Sequence, residues 1–383
     1  MGAALLAAAA AGALASPGQG AGAPALPAQD AGPPAPGGRG DWLLTARDGG
    51  RKLSLLACSS GRELGQASLA ARLDAPPLVS GERAFLLGAD GRLRALSLPG
   101  LREIAARPGM PVRALIAASD EAAGLIAVGG EGSEALRILD AGTLADVHRF
   151  RLDAPIVVAA LANAPGRASF LAGLAEPASP AEVWEMAYSP DAPPVLKGLV
   201  HDYRMNEAVP LPGRFTPRVA PVVSPTKSLL PGPVPYEWLR IDAAGVASVL
   251  HLEVRREIAR LREQGDWLAA AWQGERARGW LLGFREGEEI RRLESGSWRR
   301  SPPQPLPGRL AGLLAFGDLR GAALALAVDG GVALAEIDGE TLEIRRGATV
   351  PGASVSLAAS ADARCIAMLD GDGRWLAALR RKE

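Results

Sequence analysis

One phrase recurs along this chain and constrains the fold more than any other feature. An apolar strand ends in a tight turn, an alternating strand follows, and a second short turn leads into another strand. Gly88-Ala89-Asp90-Gly91 opens into Arg92-Leu93-Arg94-Ala95-Leu96-Ser97-Leu98, and Pro99-Gly100 leads on to Leu101-Arg102-Glu103-Ile104. Leu136-Arg137-Ile138-Leu139-Asp140 passes through Ala141-Gly142 into Thr143-Leu144-Ala145-Asp146-Val147. Ala333–Asp338 passes through Gly339-Glu340 into Thr341–Ile344, and weaker copies begin at Ser54 and Val249. Alternation bounded by Asp-Gly and Ala-Gly is hairpin chemistry, because those residues accept the positive φ that tight turns need. Leu96 and Leu139 are equivalent and 43 residues apart. A unit of about four strands recurring every ~40–50 residues is a β-propeller blade. Residues 41–383 hold about eight units at that period. Seven is left open, because residues 205–235 are irregular.

Composition fits this all-β reading. Hydrophobic residues make up 48% but aromatics only 4%. Blades stacked face to face can be filled by Ala, Leu and Val. Amphipathic helical periodicity is scarce, and residues 253–263 read as strand, turn and strand. Pro302-Pro303-Gln304-Pro305 is compatible with an inter-blade loop or a lost strand.

The N-terminal region follows different rules. Residues 2–15 are an apolar, Ala-rich run ending in Ala13-Leu14-Ala15, of signal-peptide length but with no preceding Lys or Arg. It is shorter than the ~20 residues a spanning helix needs, and no other segment is long and apolar enough. Residues 16–40 are almost entirely Ala, Gly and Pro and offer nothing large to bury. The expected division is a signal peptide at 1–15, a disordered tether at 16–40 and a propeller at 41–383. Export implies a periplasmic location.

Several function classes are excluded. Lys plus Arg is 42 and Asp plus Glu is 42, so there is no net positive charge for nucleic acid. With 3 His, 2 Cys and no Cys-x-x-Cys, there is no zinc ribbon and no c-type haem attachment. Gly129-Gly130-Glu131-Gly132 lacks the Lys-Ser/Thr of a phosphate loop. Asp370-Gly371-Asp372-Gly373 reads as a hairpin turn, not a calcium loop. Cys58 falls in the first repeat and Cys365 in the last. A ring-stapling disulfide and two separate buried thiols are both open.

Residues 181–218 carry a family resemblance. Glu182-Val183-Trp184-Glu185 with Tyr188, then Val200-His201-Asp202-Tyr203, then Pro212-Gly213 and Thr216-Pro217-Arg218 are similar to the haem d1 propeller family. That family comprises the d1 domain of cytochrome cd1 nitrite reductase and its relatives in haem d1 assembly. Leu250–Ala259 and Phe85–Gly91 extend the likeness collinearly, over roughly residues 41–345. The resemblance implies an eight-bladed propeller with a tetrapyrrole in its central cavity. It also implies periplasmic handling of haem d1 or a precursor, in a denitrification context of haem d1 biosynthesis or delivery.

The departures narrow the activity. Asp74 stands about where family members with a proximal axial His carry it, and no His follows His251. Nitrite reduction needs an axial ligand, proton donors and a route for electrons. The reading is therefore not an active nitrite reductase and leans away from an enzyme. The remaining site candidates are His201 as an iron ligand, oriented by Asp202, with Arg204, Arg214 and Arg218 for tetrapyrrole carboxylates. His251 should point opposite Leu250 and Leu252, and His148 has no assigned role. The competing reading is a non-enzymatic scaffold that binds a periplasmic protein partner and has lost its haem pocket.

Overall fold

The structure, a computed structural model, describes residues 41–132, 135–150, 156–175, 181–197, 209–352, 354–360 and 363–381. The expected signal peptide and tether lie outside the described residues, as do His201 and Arg204.

Among the described residues the strands form eight consecutive antiparallel groups. The first is Trp42–Arg47, Lys52–Ala57 and Glu63–Ser68. The second, Leu78–Ser80, Arg83–Leu87, Leu93–Ser97 and Arg102–Arg107, shows the complete four-strand pattern. The third runs from Val112–Ala118 to Asp146–Arg149, and the fourth from Ile156–Ala164 to Pro217–Pro221. These two are joined where Ile156 and Val157 pair with Gly132 and Glu131. The fifth to seventh begin at Thr226–Pro231, Trp267–Gln273 and Arg309–Ala315. The eighth is Val355–Ala359, Cys365–Asp370 and Trp375–Arg380.

First strands of successive groups lie side by side from Leu78–Ser80 round to Val355–Ala359, so they form the inner wall and fourth strands the outer rim. Second strands are buried on both faces and therefore read as unbroken apolar runs. Arg83–Leu87 and Gly321–Val328 are examples. Group packs on group through these strands. Leu53 and Leu55 meet Ala84, Leu86 and Leu96, while Leu324 and Leu326 meet Leu281 and Ile290.

The turn grammar has a backbone counterpart. The turn between third and fourth strands closes on a left-handed residue in five groups: Leu101, Leu144, Arg255, Trp298 and Leu342, with φ from 51° to 62°. In two of these turns an aspartate organises the loop. Asp140 Oδ1 accepts from the Gly142 and Thr143 N–H groups and the Thr143 hydroxyl, and Asp338 does the same with Glu340 and Thr341. These bonds hold the Asp140 carboxyl below its usual range, the Thr143 N–H contributing most. The closing leucines, Leu144 and Leu342, are buried, so hydrophobic contact holds a conformation that L-residues otherwise avoid.

Three sequence expectations are refined. Residues 253–263 hold a turn followed by one strand, Arg256–Gln264, paired with Val246–His251. Pro302–Pro305 is a reduced fourth strand, where only Gln304 and Pro305 pair with Ile290 and Glu289. Proline cannot donate to a ladder, so the strand is cut short. The irregular stretch after residue 190 holds a two-stranded ribbon, Val195–Lys197 with Val209–Leu211, inserted before the fourth strand of group four.

Cys58 and Cys365 are bonded, across a sequence separation of 307 residues. Leu43, Leu56, Ala367 and Leu369 pack around them. Trp375 Nε1 donates to the Cys58 carbonyl at 2.8 Å, and Asp41 pairs with Arg380 at 3.3 Å. The first group thus sits between the eighth and the second, and the disulfide fastens the two ends of the chain's ring.

Candidate functional site

The third strand of group four, Glu182–Ala187, brings the sequence candidates into contact with neighbours that sequence reading missed. Register places Glu185 opposite Arg218 and Trp184 opposite Val219. Glu185 is only 4% exposed. Burying a carboxylate requires a charged partner, and Arg167 supplies it with Nε donating to Oε1 at 2.6 Å. Arg167 also lies 3.7 Å from Glu253.

Arg218 donates from Nη2 to the Pro193 carbonyl at 2.7 Å. Its guanidinium is less basic than usual. Burial is the main cause, Glu185 opposes it, and the nearby positive charges of Arg255 and Arg167 add to it. Arg255 is exposed and is the left-handed residue closing a turn of group five. Arg167 and Arg218 therefore share one buried carboxylate, with the charge of Arg255 felt at Arg218, at the face carrying the turns between third and fourth strands. The site holds more positive than negative charge and would accept an anion.

Arg214 lies in the lead-in to the outermost strand. Its Nε donates to the Tyr188 carbonyl at 3.1 Å, and its guanidinium lies 4.7 Å from the Phe215 ring centroid. Tyr188 is buried against Phe170, with ring centroids 5.0 Å apart. Burial, with the Asp120 charge adding, pushes its phenol up to about 12. Phe215 stacks on His148 at 5.3 Å, and Phe150 meets the same imidazole edge-on at 4.6 Å. Burial pushes His148 below the ordinary imidazole value.

The ribbon is anchored on these arginines. Arg218 holds Pro193 at its root, and a Cβ on Gly213 would fall 2.0 Å from the Ala192 carbonyl oxygen. The connection between the ribbon strands carries His201 and Arg204. The structure thus joins Arg214 and Arg218 to the base of that segment. It places both on the outer rim, away from the inner wall.

The other sequence features behave structurally. His251 faces away from buried Leu250 and Leu252, as alternation requires, and its ring lies 4.8 Å from Tyr236. Asp74 is exposed, and its backbone N–H donates to the Leu87 carbonyl. Gly129–Gly132 lie inside the strand Leu125–Gly132. Asp370 Oδ1 accepts from the Asp372 and Arg374 N–H groups and so organises a turn.

A second polar cluster is structural too. Arg240 is 1% exposed and reaches Thr226 on the first strand, Ser248 on the third and Glu257 on the fourth. One guanidinium thereby ties all four strands of group five.

No family model and no curated protein matches this sequence. Solved structures do match its fold. A dihydro-heme d1 dehydrogenase, NirN, in complex with DHE, superposes with a TM-score of 0.65 at 18% identity, covering 89% of this chain and 73% of that one. BamB from Moraxella catarrhalis gives a TM-score of 0.58 at 14% identity, covering 87% of this chain and 89% of the other. Both are β-propellers, and the likeness establishes that fold here. Both agree with the propeller fold read from the sequence.

Proposed function

We propose that this chain is a periplasmic propeller that binds haem d1 or a related tetrapyrrole, in haem d1 assembly or delivery, at the face built from group four and its ribbon. The observation that supports this most is the Arg218–Pro193 contact, which ties the converging arginines to the segment bearing His201 and Arg204. The residues fit such a group. Arg218 feels the positive charges of Arg255 and Arg167 beside the carboxylate of Glu185, so added carboxylates would relieve their repulsion. Exposed apolar side chains stand on the same segments: Leu196 on the ribbon is 56% exposed and Val254 beside Arg255 is 52% exposed. An amphipathic macrocycle with acid side groups matches that mixture. Arg204, Arg214 and Arg218 would hold carboxylates, and His201 would ligate the iron through a neutral ring nitrogen. When bound, the tetrapyrrole supplies a redox-active iron centre. The chain itself contributes binding and orientation, and no residue is assigned to catalysis.

One observation favours a second reading. Arg214 and Arg218 lie on the outermost strand and its lead-in, where a protein partner would dock. That suits a scaffold that binds a periplasmic protein, and the likeness to BamB is compatible with it.

Titration of the purified mature protein with haem d1, and separately with haem b, followed by visible absorption, separates the two. The tetrapyrrole reading expects a saturable shift at micromolar affinity or tighter, lost in His201→Ala and weakened about tenfold or more in Arg218→Ala. No shift and no co-elution with either haem would reject it in favour of the scaffold.

A further inference from the structure

Neighbouring groups meet at a recurring place, where the end of one group's third strand faces the turn after the next group's third strand. Backbone bonds mark it. The Tyr188 N–H donates to the Ala168 carbonyl in group four, and the Gly339 N–H to the Arg320 carbonyl in group seven. Three residues before each stand Glu185 and Glu336, so these two acids are equivalent. In the groups that follow, the Leu252 N–H donates to the Tyr236 carbonyl and the Arg381 N–H to the Arg364 carbonyl. Leu252 and Arg381 are therefore equivalent too, and Glu253 comes directly after the first of them.

The two junctions are filled differently. Between groups seven and eight, opposite charges close on one another. Arg381 donates from Nε to Glu336 at 2.9 Å and from Nη1 to the two Asp318 oxygens at 2.9 and 2.8 Å. Between groups four and five, the third-strand acid is met from its own group. Arg167 ends the turn Pro165–Arg167 and donates to Glu185 from Nε at 2.6 Å and from Nη2 at 3.4 Å. Its other terminal nitrogen, Nη1, lies 3.7 Å from Glu253 Oε1 in the turn of group five. That distance is too long for a hydrogen bond.

The two acids on Arg167 are therefore unlike. Glu185 is buried, and taking it from Arg167 would strand a charge away from water. The Glu253 side chain is 58% exposed, and an exposed pair at that distance contributes little. Positive charge is also in excess around it. Arg218 loses basicity first through burial, and then through the charges of Arg255 and Arg167, which Glu185 opposes. A carboxylate reaching Arg167 Nη1 at hydrogen-bond distance would form a charge-assisted bond that Glu253 does not make.

We propose that Glu253 is a displaceable stand-in for a ligand carboxylate. An acid group on a bound small molecule takes Nη1 of Arg167, and Glu253 turns out to solvent. Glu253 thereby sets a threshold that a ligand's acid must exceed. This deepens the tetrapyrrole reading and rests on it for the ligand's identity, while the exchange of one acid for another needs only the arginines.

Isothermal titration calorimetry with propane-1,2,3-tricarboxylate at low ionic strength tests it on the full chain. Glu253→Gln keeps the side chain's shape and removes the competing charge. It should bind the tricarboxylate about threefold to fivefold more tightly than wild type. Glu343→Gln is the control for net charge, because Glu343 is an exposed acid 3.4 Å from Arg345 in group seven. It should leave the affinity unchanged. Equal affinity in Glu253→Gln and wild type would overturn the proposal. So would an equal gain in both variants, or no binding in any of the three proteins. Titration with haem d1 separates this inference from the reading it builds on. Haem d1 binding without any gain in Glu253→Gln would reject the stand-in role and keep the tetrapyrrole reading. A gain in Glu253→Gln without haem d1 binding would keep the acid exchange and assign the site to another carboxylate.

Discussion

Removing the Cys58–Cys365 bond should lower stability more than any other two-atom change in the molecule. The bond closes a loop of 307 residues. In the chain-entropy model the unfolded chain loses 2.1 + 1.5R ln n cal/mol/K, which gives about 5.7 kcal/mol at 25 °C for that loop. Cys58→Ala with Cys365→Ala also empties two buried sulfur sites, adding about 1 kcal/mol or more. The fold should survive, because Leu43 and Leu369 still pack, Thr45 Oγ1 still donates to the Gly373 carbonyl and Trp375 to that of residue 58. The assay is urea unfolding of the oxidised chain and the double variant, with the slope checked for constancy. A loss of several kcal/mol is expected. Dithiothreitol should leave the native chain oxidised, because both sulfurs are buried, and reduce it once it is unfolded. A difference below about 1 kcal/mol would refute the entropic account. Two titratable thiols in the unfolded, unreduced chain would refute the bond itself.

Two further predictions concern buried or semi-buried polar groups. Arg240→Ala should cost about 3–5 kcal/mol, because it takes the guanidinium from Glu257, which keeps only the Ser248 hydroxyl, and from Thr226; thermal unfolding measures it, and a loss under 1 kcal/mol would remove the network from the stability argument. Asp140→Asn should cost about 1 kcal/mol near neutral pH. The Asp140 carboxyl is held below the ordinary aspartate value, chiefly by the Thr143 N–H, so its contribution is present above that ordinary value and is lost as pH falls through the depressed folded value. The gap between wild type and variant should close under acid, and a gap independent of pH would contradict the assignment.

The local grammar of the fold is visible in the sequence. Asp-Gly and Asp-x-x-Thr-Leu phrases fix turns through bonds within four residues, as at Asp140 and Asp338, and alternation fixes which side chains of a strand are buried. That suffices for the hairpins, the period and the all-β class. It also correctly reads His251 as turned from the core. The site was only half legible. Arg214 and Arg218 stand out in the family-like stretch. Arg167 and Arg255 do not, because they are separated from Arg218 by 51 and 37 positions; Arg167 meets it only when the strands of group four pair, and Arg255 only when groups four and five stack.

What tertiary structure alone decided shares one physical cause: each item depends on contacts between residues remote in sequence. Local spacing could not say whether Cys58 and Cys365 bond, since that requires the first group to seat against the eighth. It could not place Arg214 and Arg218 on the rim, because inner and outer positions exist only once first strands gather around an axis. Turns are set by short-range sterics and hydrogen bonds that a few residues encode. Ring closure, burial and charge clustering are set by packing between groups, and no single segment carries that information.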